Sequence, residues 1–342
     1  MSFSYLTRMP SVDEIKSELP VSQNVVSARR ERDRLIADVF EGRSDRCVVI
    51  VGPCSADNEE AVCDYIGRLR KVQDKTVEKL VIIPRVYTNK PRTTGSGYKG
   101  MAHQPDPLED PDIVAGLKAI RRMHIRVVTE TGLSAADEML YPGNYPHLDD
   151  LLSYVAIGAR SVENQHHRLT VSGLDIPCGM KNPTSGDLCV MLNSIQAGQM
   201  AHTFIYNGWE VRTSGNTLTH AVLRGAVNRY GRSIPNYHYE DLVHLTELYT
   251  QRGFENPAII VDANHANSAK MYAQQPRIVK EVIGSVRSND QLRKMVKGFM
   301  IESYIEAGAQ KVNGGVYGQS ITDPCLGWED TERLLLDIAG LW

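Results

Sequence analysis

Short apolar runs separated by helix-length stretches recur along the whole chain, and this alternation constrains the fold more than any other feature. Cys47–Val51, Leu80–Ile83, Tyr154–Gly158, Ile176–Gly179, Ala201–Tyr206, Ala258–Val261 and Gly298–Ile301 each have the length and apolar content of a strand buried on both faces. One more strand is needed between 83 and 154. Either His124–Thr129 or Leu133–Leu140 serves, and periodicity alone does not choose. Helical patterns are expected at about 57–73, 109–123, 146–153, 163–170, 186–198, 217–229, 239–252, 268–285 and 328–340. Eight strand–helix units are the arithmetic of an α/β fold of the (β/α)8 TIM-barrel type, with a doubly wound open sheet as the competing layout. Residues 1–45 read as an N-terminal extension with a helix packed outside the barrel, and 46–342 as the barrel itself.

Charge and cysteine usage narrow the function classes. The 342 residues carry 38 Lys plus Arg against 41 Asp plus Glu, a net charge of −3, so no basic field attracts nucleic acid or anionic lipid. No run approaches the ~18 apolar residues of a membrane span, and the N-terminus has no basic-then-apolar signal pattern. The expectation is a cytoplasmic protein with neither nucleic-acid nor membrane partners. Six cysteines without a CxxC pair suit reduced thiols rather than a disulfide framework.

A barrel places its chemistry just after its strands. There the chain has Cys54 after the first strand, Arg85, Lys90, Arg92 and Thr93 after the second, and Ala159 and Arg160 after the fourth. Lys181 follows the fifth, Arg224 the sixth, His265 the seventh, and Glu302 then Asp323 the eighth. Cys54, His265, Glu302 and Asp323 converge from strands 1, 7 and 8, which adjoin in a closed barrel. A mixed sulfur, nitrogen and oxygen set suits one divalent transition ion (Mn, Fe, Zn, Co or Cu) better than Mg or Ca. Arg85, Lys90, Arg92, Arg160, Lys181 and Arg224 would repel one another around one mouth unless anions fill it, and guanidinium forks match phosphate and carboxylate. Six cations exceed the need of one phosphate, which points to two anionic substrates or one with several anionic groups. His166 and His167 fall within an expected helix and read as structural.

The strings around these residues resemble a known family. Gly-Pro-Cys-Ser at 52–55, Lys-Pro-Arg-Thr-Thr at 90–94, Gly-Ala-Arg at 158–160, Lys-Asn at 181–182, Leu-Arg-Gly at 223–225, His-Ala-Asn-Ser at 265–268, Glu-Ser at 302–303 and Ser-Ile-Thr-Asp-Pro-Cys-Leu-Gly-Trp-Glu-Asp-Thr at 320–331 are similar to those of the class I 3-deoxy-D-arabino-heptulosonate-7-phosphate (DAHP) synthases of the longer, feedback-regulated kind. The resemblance runs through essentially the whole chain in order. It implies a (β/α)8 barrel that condenses phosphoenolpyruvate with erythrose 4-phosphate, the entry step of the shikimate pathway, with Mn foremost among the candidate metals. It implies Cys54, His265, Glu302 and Asp323 as metal ligands and Arg85, Arg160, Lys181 and Arg224 as contacts of phosphoenolpyruvate. Lys90 would then lie between the substrates, with Arg92 and Thr93 on the aldose phosphate. It also places Glu138 at the end of strand 3, taking Leu133–Leu140 as that strand, and adds a homodimer or homotetramer with the N-terminal segment as interface arm. The related synthase that uses arabinose 5-phosphate, and a catalytically silent regulatory barrel, are the alternatives.

Three departures from the family pattern stand out. Asp262-Ala263-Asn264 precedes the metal histidine where the pattern has Asp-Phe-Ser, and an extra residue sits in Thr94–Tyr98. A short hairpin inserted after strand 6, Phe204–Thr213 turning at Asn207-Gly208, is shorter than the hairpin that helps hold an inhibitory amino acid in regulated members. The expectation is weak or absent inhibition by an aromatic amino acid effector.

Overall fold

The computed structural model describes residues 3–342. Eight parallel strands form its centre: β1 Cys47–Gly52, β2 Leu80–Pro84, β3 Ala135–Glu138, β4 Leu152–Ile157, β5 Cys178–Lys181, β6 Thr219–Leu223, β7 Ile259–Asp262 and β8 Val296–Glu302. Hydrogen bonding runs from β2 through β1, β8, β7, β6, β5 and β4 to β3. A single bridge between Arg85 and Ala136, with Val86 N donating to Ala136 O at 2.9 Å, closes β2 on β3 and makes the sheet a barrel.

Strand alternation divides the core into two shells. Val48 and Ile50 of β1, Val81 and Ile83 of β2, and Ile260 of β7 face the barrel interior with Tyr154, Val222 and Met300. Their neighbours Val49, Val51, Leu80, Ile82, Ile259 and Val261 face the outer helices instead. Those helices begin where the sequence supplies a side-chain acceptor for an orphan amide: Asn58 for Ala61 N, Asp112 for Ala115 N, Asp187 for Val190 N. The helices Ile113–Thr131 and Tyr239–Arg252 end at Gly132 and Gly253, both left-handed.

Two helices precede the barrel, Val12–Glu18 and Gln23–Phe40. The second does more than pack on the outside, because Ile36, Val39 and Phe40 join the interior cluster. The Phe40 ring lies 4.3 Å from that of His220 and 6.3 Å from that of Tyr154, so this helix stoppers the N-terminal end of the barrel.

The structure corrects the sequence reading at several places, among them 146–153, expected to be a helix, which instead runs from the end of the 3-10 turn Pro142–His147 into β4. The sixth strand is Thr219–Leu223, within the stretch expected to be helix 217–229, and 203–206 is instead one arm of an antiparallel hairpin with 209–212. That hairpin therefore comes before strand 6, between the helix Leu188–Gln199 and β6, and not after it. Residues 124–129 lie inside the helix Ile113–Thr131, which leaves 135–138 as the third strand. The helix expected over 268–285 starts only at Gln275, because Ala269 and Lys270 take left-handed conformations that break it. Among the described residues no helix is long and apolar enough to cross a membrane.

Candidate active site

All the residues singled out from the sequence lie at the C-terminal ends of the strands or just beyond. Glu138, Lys181 and Glu302 are the last residues of β3, β5 and β8, and Arg85 and Arg224 follow directly on β2 and β6. They surround a cavity of about 370 Å³ lined by Arg85, Lys90, Arg92, Thr93, Glu138, Ala159, Arg160, Lys181, Arg224, His265 and Asp323. Cys54 and Glu302 are buried just behind this lining, each 1% exposed.

Close packing of the strand ends brings these groups together. Gly52 is needed where β1 ends, since a side chain there would run into the Arg85 carbonyl. With the strands this close, Arg85 Nη2 donates to Cys54 O at 3.2 Å and meets Glu302 Oε1 at 2.8 Å, while its guanidinium lies 3.9 Å above the Tyr87 ring. Lys90 is held by its own loop, its backbone N–H donating to Lys99 O at 2.9 Å. The Arg92 Nε donates to Tyr98 O at 2.8 Å, which aims the rest of its fork at the cavity mouth. Asp137, beside Glu138, accepts from Thr88 N at 2.8 Å and so anchors the start of this loop.

Three donor atoms of a metal-type set converge. Ligand atoms of Cys54, Glu302 and Asp323 all lie within 4.8 Å of one another. His265 Nε2 stands 3.9 Å from Glu302 Oε1, and its Nδ1 lies 2.8 Å from Asp262 Oδ2, the arrangement that leaves Nε2 free to ligate. Lys90 Nζ sits among the donors, 2.6 Å from Cys54 Sγ and 3.1 Å from Asp323 Oδ2. Asn264 Nδ2 donates to Glu302 Oε2 at 2.5 Å, and Gln275 bonds the Glu302 backbone on both sides at 2.9 Å.

Electrostatics keep most of these groups charged in spite of burial. Burial would raise the Glu302 carboxyl, but Arg85 and His265 outweigh it and hold it below its ordinary value. Burial likewise opposes Asp323 and Asp262, and the cations Lys90 and Lys270 around the first, with His265 and Lys181 around the second, keep both well below the usual carboxylate range. The Cys54 thiol is pushed up by burial and by Glu302, with Lys90 opposing. A cation at this position would favour the thiolate.

Not every positive group is satisfied within the protein. Arg85 uses Nη2 and leaves Nε and Nη1 buried without a partner, and Arg224 leaves Nη1 in the same state. Buried donors are nearly always bonded, so these nitrogens mark where an anion belongs. Arg92 and Arg160 also have no carboxylate within 4 Å among the described residues, and both line the same cavity.

Sequence reasoning missed several participants. Asp262 is fully buried between His265 and Lys181 Nζ, the latter 3.4 Å away, and its string was legible but its role was not. Lys270 Nζ reaches Asp323 Oδ1 at 3.1 Å, a contact made by a left-handed turn that no spacing rule foretells. His167 has the structural role expected, with its ring nitrogens 3.0 Å from Asn164 Oδ1 and Leu140 O.

A parallel barrel with charged groups buried at the C-terminal ends of its strands is the architecture of a barrel enzyme that handles anions. The chain belongs to the DAHP synthetase I family, whose model matches residues 18–336. It is 36% identical over 346 residues to the phospho-2-dehydro-3-deoxyheptonate aldolase of Corynebacterium glutamicum, covering 97% of this chain and 91% of that protein. It is 35% identical to the Trp-sensitive phospho-2-dehydro-3-deoxyheptonate aldolase of Escherichia coli O157:H7, with 95% of this chain and 92% of that one covered. The Tyr-sensitive enzyme of Salmonella typhimurium is 34% identical over 95% of this chain and 91% of its own. Among solved structures, the phospho-2-dehydro-3-deoxyheptonate aldolase of Francisella tularensis SCHU S4 superposes with a TM-score of 0.92 at 29% identity, covering 99% of this chain and 98% of that one.

Proposed function

We propose that this protein is a transferase that condenses phosphoenolpyruvate with erythrose 4-phosphate to DAHP and phosphate, with one divalent metal ion. The observation that carries this reading is the pairing of two features in one cavity: unpartnered, buried guanidinium nitrogens of Arg85 and Arg224, and the convergence of Cys54, Glu302 and Asp323 beside His265.

The residues divide the work by position. Arg85, Lys181 and Arg224 at the floor, with Arg160 at the rim, bind the phosphate and carboxylate of phosphoenolpyruvate. Arg92 and Thr93 at the outer edge take the aldose phosphate. Cys54, His265, Glu302 and Asp323 would hold the ion, foremost Mn and otherwise Fe, Co, Zn or Cu, which when bound supplies Lewis-acid polarisation of the aldehyde. The π electrons between C2 and C3 of phosphoenolpyruvate form the new bond to the aldehyde carbon, and positive charge develops at C2. Lys90, among the donors and facing the cavity, gives a proton to the new alkoxide. Water adds at C2 with loss of a proton, and breaking of the C2–O bond releases phosphate. Glu138, at the end of β3, lies across the cavity floor as a further substrate contact.

The names of the Tyr- and Trp-sensitive relatives bear on regulation. The hairpin walls a second cavity of about 770 Å³, lined by Tyr145, Phe204, Tyr206, Val211, Arg212 and Thr213 among others. It is roomy enough for an aromatic amino acid, with aromatic faces for the ring and Arg212 for a carboxylate. We place an effector there, so that the shorter hairpin weakens inhibition without removing its site. The assembly is a homodimer or homotetramer in the cytoplasm, with residues 1–45 as the contact arm.

The deciding experiment follows phosphoenolpyruvate consumption by chelator-treated protein, with erythrose 4-phosphate or arabinose 5-phosphate, with and without Mn2+, and with each aromatic amino acid. Consumption should need both erythrose 4-phosphate and metal. Turnover with arabinose 5-phosphate instead, or none under any condition, overturns the reading.

A further inference from the structure

A second group of cations gathers at the opposite end of the barrel, far from the mouth in every strand it touches. A cavity of about 410 Å³ opens there between the residues leading into β1 and β2, the helices Gln275–Ser288 and Asp290–Met295, and the start of β8. Arg46, Lys79, Arg287, Arg293 and Lys297 line it against only two acidic side chains, Asp45 and Glu78.

Three cations elsewhere on the adjoining helices are paired, Arg70 with Asp74 at 2.6 Å, Arg277 with Glu281 at 2.8 Å and Lys280 with Asp337 at 2.8 Å, whereas Lys71 and Lys294 there are exposed to solvent without a carboxylate. None of the five around this cavity has a carboxylate within 4 Å among the described residues, although the protein carries a net charge of −3 and has acids to spare. Arg46 and Lys297 are also half-buried, and burial lowers the Lys297 ammonium with only Asp45 opposing. Five cations against two carboxylates leave the hollow with a net positive field that an entering anion would neutralise.

The rest of the lining is not ionic. Ile283, Val286 and Val296 form an apolar wall, and Trp342 stands beside it. The indole N–H of Trp342 donates to Asp45 O at 2.8 Å and its ring meets Phe299 edge-on at 6.0 Å, so the ring is fixed in place. We infer that this cavity is a binding site for an organic diphosphate bearing a planar ring, such as a nucleoside diphosphate, its phosphates among the five cations and its ring beside Trp342. Nothing in the proposed reaction uses these residues.

ADP and pyrophosphate are the probes, applied to the full-length protein. ADP should change the emission of Trp342, and the change should vanish in Trp342→Phe, in which Trp209 and Trp328 remain as controls. Calorimetric affinity for ADP should fall at least tenfold in Arg287→Ala/Arg293→Ala, whose exposed positions spare the fold, and also as salt rises from 50 to 200 mM. Pyrophosphate should bind about tenfold more weakly than ADP, and condensation activity should be unchanged in both variants. The inference is overturned if millimolar ADP leaves Trp342 emission unaltered, or if the double variant binds ADP as the parent does. Pyrophosphate binding as tight as that of ADP overturns the planar-ring assignment.

Discussion

The two ends of this barrel solve opposite problems with the same eight strands. At the C-terminal end, Arg85, Lys181, Asp262 and Glu302 are buried as charges, in pairs that leave guanidinium nitrogens without partners. Inside the N-terminal end, Ile36, Val39 and Phe40 fill the bore, and a buried ionisable pair there is kept neutral: His220 Nε2 bonds the Tyr154 hydroxyl at 2.9 Å while its Nδ1 faces Leu218 O at 2.8 Å. Buried ion pairs stabilise little, because the cost of removing charge from water offsets their attraction. The apolar end therefore carries the stability and the charged end the chemistry, and substitutions at the two ends should separate.

The largest effect is expected at the mouth. Lys90→Met removes the proton donor and should lower kcat by about 10²–10⁴-fold. Metal uptake by equilibrium dialysis and the thermal midpoint should stay near those of the parent, because Lys270 still pairs with Asp323. An active Lys90→Met variant would sink the assigned role, and a collapse in stability would erase the contrast between the two ends.

The stopper should contribute a separable part of the acid limb of stability. Burial lowers the His220 pKa from 6.5 to about 4, opposed by the bond to Leu218. Between those values the unfolded chain binds a proton that the folded chain refuses. Stability from this group is thus complete above pH 6.5 and falls as pH drops toward 4, by about 3 kcal/mol in all. His220→Phe/Tyr154→Phe should flatten that slope in urea titrations run at several pH values, with kcat unaltered at neutral pH. His124, buried and lowered further, to about 3, contributes a larger acid-limb loss that the variant keeps, so the test is the difference between parent and variant.

The smallest effect belongs to neither end. Phe204→Ala at the hairpin cavity should weaken inhibition by an aromatic amino acid by about tenfold or less, without changing uninhibited turnover. Equal inhibition of parent and variant would place the effector elsewhere.

The barrel and its reactive rim were legible because strands buried on both faces read as unbroken apolar runs, and because Cys54, His265 and Glu302 stand at or just after strand ends, with Asp323 in the loop beyond β8. The sixth strand was not. Phe204, Ile205 and Tyr206 form an apolar run, yet they alternate between exposed and half-buried on a two-stranded ribbon. The true strand places Thr219 and His220 where its apolar signal should begin, because His220 belongs to the polar contact inside the stopper. The rival candidate for strand 3, 124–129, is helical for another reason, while Leu133–Leu140, the stretch the resemblance implied, holds the strand. Val127 and Val128 are β-branched, but they continue one buried face of a helix capped at Asp112 and Gly132. Within the site, motif positions were readable, whereas the Lys270–Asp323 contact and the fixing of His265 by Asp262 depend on turns and on strand register.

The closing of β8 between β1 and β7 has a consequence for how this protein is made. Cys54 and Asp323 stand 269 positions apart, and β8 is the last barrel strand to leave the ribosome. Until it arrives, the nascent chain holds the Cys54 thiol without Glu302 and Asp323, and an open sheet with bare edges at β1 and β7, the kind of edge that invites aggregation. The enzyme cannot emerge by degrees, as a weak catalyst improving while it lengthens. A chain interrupted before residue 296 lacks the strand that joins β1 to β7, together with Glu302 and Asp323, and should have no activity.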